Sequence, residues 1–256
     1  MFTVEYLTAA SKRKGAVGLD KVNGIVDKYI LKQYGQHLDV DAKTINELLF
    51  VVCKYEFKNA IVFCVKQPDC DVNLQDELCN TPLNISCSTN FSNMVIVKLL
   101  LEQPSIDVNK PNFDGQTPLH GACESCYVEM VQLLLTHPNI KINEMDNEGL
   151  TALSHACEED RINTVKLLLN QPGIDINKSD GVTPLHIASD RQHSDIVKMF
   201  LCQPSIDVNK LDYNGDMSID IARETDNKEI IALLMSHGSK DSNRRPIGKR
   251  KYYDLY

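Results

Sequence analysis

A tetrapeptide that returns at nearly fixed intervals constrains this chain more than any other feature. Thr117-Pro118-Leu119-His120 has counterparts at Thr81-Pro82-Leu83-Asn84, Thr151-Ala152-Leu153-Ser154, Thr183-Pro184-Leu185-His186 and, in weakened form, Met217-Ser218-Ile219-Asp220. The intervals are 36, 34, 32 and 34 residues. An apolar run follows each one: Val97 to Leu101, Val131 to Leu135, Val165 to Leu169, Val197 to Leu201 and Ile231 to Met235. A third marker is Asp71-Val72-Asn73, Asp107-Val108-Asn109, Lys141-Ile142-Asn143, Asp175-Ile176-Asn177 and Asp207-Val208-Asn209. Three markers in phase over five units describe one module copied along the chain.

The residues of the module give its local structure. Thr before Pro starts a helix, because the Thr hydroxyl accepts an otherwise orphaned backbone N–H and Pro at the first helical position gives up no bond that was needed. The Leu-rich run that follows is a second helix. Asp114-Gly115, Glu148-Gly149, Asp180-Gly181 and Asn214-Gly215 are tight turns that need positive φ. Each module is therefore helix, helix and projecting hairpin. None can bury its own apolar face, so neighbours must stack.

A period near 33 residues with a T-P-L-H signature resembles the ankyrin repeat. The fold class it implies is all-α, an ankyrin-repeat solenoid with projecting β-hairpin loops. Residues 1–43 are read as an N-terminal extension whose capping helix, over 20–34, has Val22, Ile25, Val26, Tyr29 and Ile30 on one face. Residues 44–240 are the repeat domain. Its first repeat, 44–73, has lost the signature, yet aligning Pro68 on Pro204 places Leu49 on Leu185, Val52 on Ala188 and Ile61 on Val197. The others span 76–109, 112–143, 146–177, 180–209 and 212–236, the last truncated and capping. Residues 241–256 are read as a disordered tail with a basic cluster, Arg244-Arg245-Pro246-Ile247-Gly248-Lys249-Arg250-Lys251.

Two irregularities stand out. Thr81 to Leu101 is two residues longer than its counterparts, with the insertion near Thr89 to Ser92; Asn177 to Thr183 spans six residues where others span eight. The shortened hairpin at Asp180-Gly181 should leave a notch in the row of tips.

The nine cysteines do not follow a metal pattern. Cys53, Cys87, Cys123 and Cys157 all fall six residues after the Thr position, where a free thiol acts as a small hydrophobe. Cys126 completes only a lone CxxC with Cys123, a weak zinc signal. The resemblance implies that His120 and His186 bond backbone and hold one hairpin to the next. No paired nucleophile, phosphate-binding Gly-rich loop or HExxH is present, so neither catalysis nor a cofactor or metal is expected. The resemblance also implies a context similar to that of asparagine hydroxylation at Asn109, Asn177 and Asn209.

Charge suggests the partner. Residues 1–35 hold six Lys/Arg and three Asp/Glu, residues 236–256 six and two, and residues 36–235 hold 15 and 30, a net of −15. Such an array disfavours nucleic acid and favours a basic segment of another protein. Ankyrin-like proteins bind proteins through hairpin tips and the exposed face of the first helices. Carried onto this chain, the tips hold Phe113, Asp114, Asn147, Glu148, Tyr213 and Asn214; Gln116, Leu150 and Asp216 stand just before the Thr position. After it come Glu124, Ser125, Glu158, Glu159, Asp190 and Arg191. Phe113, Leu150 and Tyr213 are expected to be exposed anchors. The carboxylates of Glu124, Glu158 and Glu159 should line one groove and reinforce each other's field.

Apolar runs such as Leu48 to Cys53 fall far short of the roughly 20 residues that span a bilayer, and residues 1–19 lack a signal-peptide core. The expectation is a monomeric intracellular binding module or adaptor, cytoplasmic or nuclear, with no membrane partner. The alternatives are a bacterial or viral effector built on the same scaffold, and an enzyme.

Overall fold

The computed structural model describes residues 42–240 apart from 56, 89–93 and 126. The helix expected over 20–34, the basic tail, the insertion near Thr89 and Cys126 lie outside the described residues. Within them are twelve helices in six pairs. They are α1 (Ala42–Tyr55) with α2 (Lys58–Cys64), α3 (Pro82–Ser88) with α4 (Met94–Leu101), and α5 (Pro118–Glu124) with α6 (Val128–Leu135). Then come α7 (Ala152–Glu158) with α8 (Ile162–Leu169), α9 (Pro184–Asp190) with α10 (Ser194–Leu201), and α11 (Ser218–Glu224) with α12 (Lys228–Ser236). The described residues hold no strand, only an isolated bridge between Met145 and Thr151.

The chain forms two compact units, Met1–Ile140 and Lys141–Tyr256. In the first, α1 packs on α3 and α3 on α5, while α2 packs on α4. In the second, α7, α9 and α11 pack in succession, as do α8, α10 and α12. In the first repeat Leu49, Val52 and Ile61 are buried, as are Leu185, Ala188 and Val197 further along. Helix α1 (Ala42–Tyr55) has 14 residues against seven in α3. The last second helix, α12, has nine residues and ends at Ser236.

At four of the five tetrapeptides the fourth letter closes the helix start through its side chain, whether that is Asn, His or Asp. Thr81 N–H donates to Asn84 Oδ1 at 2.9 Å, Thr117 N–H to His120 Nδ1 at 3.1 Å, Thr183 N–H to His186 Nδ1 at 3.1 Å and Met217 N–H to Asp220 Oδ2 at 3.0 Å. Asn84 and His186 also reach forward. Asn84 Nδ2 donates to Gln116 O at 3.3 Å, and His186 Nε2 to Asp216 O at 3.2 Å. This is the hairpin-to-hairpin tie that the resemblance implies.

The third marker forms a ladder. In the first unit Asn73 Nδ2 donates to Ser105 O at 2.6 Å and Asn73 Oδ1 accepts Asp107 N–H at 2.8 Å; Asn109 Nδ2 donates to Asn139 O at 2.8 Å. In the second unit Asn143 clips Gly173 and Asp175, Asn177 clips Ser205 and Asp207, and Asn209 clips Gly238 and Lys240. Except before Asn143, where Lys141 stands, the Asp two residues earlier accepts the Asn backbone N–H, as Asp107 does from Asn109 at 3.0 Å, which fixes the backbone of the residue that does the clipping. One primary amide thus satisfies a loop donor and a loop acceptor that would otherwise need water.

Candidate functional site

The hairpins are built on a polar base. Asp76, Asn112, Asp146 and Asp212 each accept the N–H groups two and four residues ahead through one Oδ1; for Asp212 these are Asn214 at 2.7 Å and Asp216 at 2.9 Å. Three residues after the base comes a positive φ, taken by Cys79 (58°), Gly115 (79°), Gly149 (76°) and Gly215 (80°). Cys79 is the exception, since a side chain in this region is strained.

These bases leave the tip side chains in solvent. In the first unit Phe113 is 69% exposed, and its N–H donates to Leu78 O at 2.9 Å. Leu78 is also exposed, so two apolar tips stand side by side. Asp114 is exposed. Gln116 and Glu124 come together, Gln116 Nε2 donating to Glu124 Oε1 at 3.2 Å. Ser125 does not belong to this surface: it is buried, with Oγ donating to Ala122 O at 2.7 Å.

In the second unit Asn147 and Glu148 are exposed. Leu150 corrects the sequence reading. It is only 7% exposed, because its N–H is held by the base carboxylate of Asp146 at 2.9 Å and the side chain turns inward. Asp146 also carries a contact that the sequence did not suggest, its Oδ2 lying 2.7 Å from His155 Nε2 of α7, both side chains buried. Tyr213 is 52% exposed. Its ring lies against the shortened hairpin: a Cβ on Gly181 would stand 2.6 Å from Tyr213 Cδ1. Asn214 and Asp216 are half-buried by their bonds to Asp212. Leu211, beside the base, is exposed and was missed; it lies in a linker that carries no repeat marker.

The ends of α7 and α9 meet. Arg191 Nη2 donates to Glu158 Oε1 at 2.5 Å, and His193 Nε2 to Glu158 O at 3.3 Å. The expectation that Glu158 adds its full field to that of its neighbours is therefore corrected, since a guanidinium from the next repeat already answers it. Glu159, exposed, lies 3.5 Å from Arg161. Burial pushes the Asp190 carboxyl above its ordinary value, opposed by Arg191 and assisted by Glu158. The buried thiols are poor nucleophiles: burial pushes Cys53 up to about 12, and Cys87 and Cys123 further still. Cys157 is buried as well, and none of the four is in a disulfide.

A family model for ankyrin repeats, in three copies, matches residues 48–146 and 138–212. The chain belongs to the ankyrin-repeat family. The fold is accordingly an all-α ankyrin-repeat solenoid. Among solved structures it is similar to the ankyrin repeat domain of Bcl-3, described as a unique member of the IkappaB protein family. That match has a TM-score of 0.65 at 23% identity and covers 76% of this chain and 87% of the other. No curated protein sequence matches. Since 510 solved chains match this ankyrin fold, the fold singles out no partner. Among the described residues, no helix is long and apolar enough to cross a membrane. Ankyrin repeats generally mediate protein–protein interaction.

Proposed function

We propose that this chain is a non-enzymatic adaptor that binds a basic, amphipathic segment of another protein. The observation that carries the reading is the pair of aromatic residues, Phe113 and Tyr213, held in solvent on hairpins whose backbones are fixed from below. An exposed aromatic on a fixed backbone loses little entropy on binding and offers a large apolar contact. Charge selects the rest of the ligand. Glu124 in the first unit, and Glu158, Glu159 and Asp190 in the second, favour Lys and Arg in the bound segment. Arg191 narrows the acidic field, so the preferred segment carries its cations spaced around an apolar residue rather than in one block. The adaptor acts as a monomer inside the cell.

Selection of a displayed random-peptide library on the full chain should enrich sequences that combine Lys or Arg with an aromatic or branched apolar residue. Phe113→Ala should weaken a selected peptide by about 1–3 kcal/mol with unfolding midpoint unchanged. Glu158→Lys with Glu159→Lys should slow association and flatten its salt dependence. Enrichment of acidic peptides, or affinity indifferent to all three substitutions, would make the assignment wrong.

A further inference from the structure

Within the unit beginning at Lys141 the tips change character at the shortened hairpin. Asn147 is followed by Glu148 before the glycine of positive φ, and Tyr213 by Asn214, whereas Asp180 runs straight into Gly181. Gly181 meets the Tyr213 ring through hydrogen alone, since a Cβ there would lie 2.6 Å from Cδ1 and 3.4 Å from Cβ and Cγ. The tyrosine nevertheless keeps about half of its surface in water. Its hairpin is held from below, where Asp212 takes the N–H groups of Asn214 and Asp216. The ring therefore has little backbone freedom to lose on binding.

A carboxylate stands next to this ring. Asp180 is exposed, one residue before the glycine on which the ring rests. Among the described residues its carboxylate has no hydrogen-bond or ion-pair partner, while that of Asp212 is spent on backbone amides. Hairpins 180–182 and 212–216 hold three Asp and no Lys or Arg, and Lys210, two residues before Asp212, donates its Nζ to Asn177 O. An aromatic face beside an unanswered carboxylate attracts a cation. A planar guanidinium suits it better than an ammonium, because it can stack on the ring while its edge N–H groups donate to the carboxylate.

We propose that Tyr213 and Asp180 form a binding site for one arginine side chain of a partner peptide, with the guanidinium on the ring and its N–H groups donating to the carboxylate. Leu211, 53% exposed two residues before the tyrosine, takes an apolar neighbour of that arginine. The proposal rests on the adaptor reading and gives its basic ligand a residue type and a place. Tyr213 then acts as a platform for a cation rather than as an apolar anchor alone.

The test is a titration of the full chain with acetyl-Leu-Arg-Leu-amide, followed by the backbone amide NMR signals of Asp180, Gly181 and Tyr213. These signals should shift and saturate. The same tripeptide with citrulline, which keeps the planar shape without the charge, should bind about tenfold more weakly, and the lysine tripeptide about threefold more weakly. Tyr213→Leu should remove the arginine preference, Asp180→Asn should reduce it, and Tyr213→Phe, which keeps the ring, should leave it unchanged. Equal affinity for the arginine and citrulline tripeptides on the native chain would overturn the proposal, a comparison that needs no variant to fold. So would a failure to saturate, or binding indifferent to Tyr213→Leu. The tripeptides do not call on Phe113, so this site can fail while library-selected peptides still depend on Phe113, and it can stand where they do not.

Discussion

The hairpin at residues 212–216 and the shortened one at 180–182 reach similar positions by different means. The first carries its own anchor: buried Asp212 takes two backbone N–H groups, and Asp212 N–H returns to Asp216 O at 2.9 Å. The second, two residues shorter, has no carboxylate in that role. Asp180 is exposed, its N–H donates to Gly149 O at 3.3 Å, and Gly181 at φ 103° has the Tyr213 ring against it. One hairpin is held from within and the other by its neighbours. A hairpin held from within can change its tip without moving its backbone, which explains how Leu78, Phe113, Asn147 and Tyr213 occupy comparable tips with such different chemistry. Variable side chains on a constant frame are what a recognition surface requires.

The largest effect should come from Asp212→Ala, which leaves two amide donors without their acceptor and should cost about 2–4 kcal/mol in urea unfolding. Asp212→Asn should cost under ~1 kcal/mol, because Asn112 already fills that role. If Asp212→Ala were no worse than Asp180→Ala, the distinction between the two hairpins would collapse. Gly181→Ala comes next, at about 1–2 kcal/mol from the positive φ alone. Its Cβ also meets the Tyr213 ring, so adding Tyr213→Ala should recover part of the loss in a double-mutant cycle.

His186, which ties the shortened hairpin to Asp216, gives a pH test. Nδ1 accepts from Thr183 and Nε2 donates to Asp216, so the ring is neutral, and burial pushes its pKa below the ordinary value. Stability from this group is complete above the ordinary histidine pKa of about 6.5 and is lost as pH falls below it toward the lowered folded value. His186→Asn, copying Asn84, should lose less stability than the native chain between pH 7 and pH 5; a greater loss would show that the ring is charged in the fold. The smallest effect has the opposite sign. Cys79→Gly should raise stability by roughly 0.5–1 kcal/mol by relieving the one hairpin whose positive φ falls on a side-chain-bearing residue.

The sequence revealed what recurs within a module. Thr117, Leu134 and Asn109 each mark a local event, and repetition made the marks readable at Leu49 and Ile61 even where the tetrapeptide is lost. It did not reveal what depends on two modules at once. Arg191 and Glu158 lie 33 residues apart; the slot of each was legible, their bond was not. Leu150 looked exposed because only the base carboxylate of Asp146 shows which way it turns. The Asp146–His155 contact pairs a hairpin with the middle of a helix, a spacing that no marker keeps. The asparagines were the reverse case: legible as punctuation, with the reason supplied by the ladder.

That ladder gives the protein a specific way of ageing. Spontaneous deamidation of Asn177 would exchange its NH₂ for a carboxylate oxygen facing the Ser205 carbonyl oxygen, now 2.7 Å from the nitrogen. A donor would become an anion aimed at a lone pair, and the loop following α10 would lose its fastening. The same replacement is possible at Asn73, Asn109, Asn143 and Asn209. Lasting function in this fold therefore depends on the shielding of five side-chain amides, a chemical lifetime rather than a folding free energy.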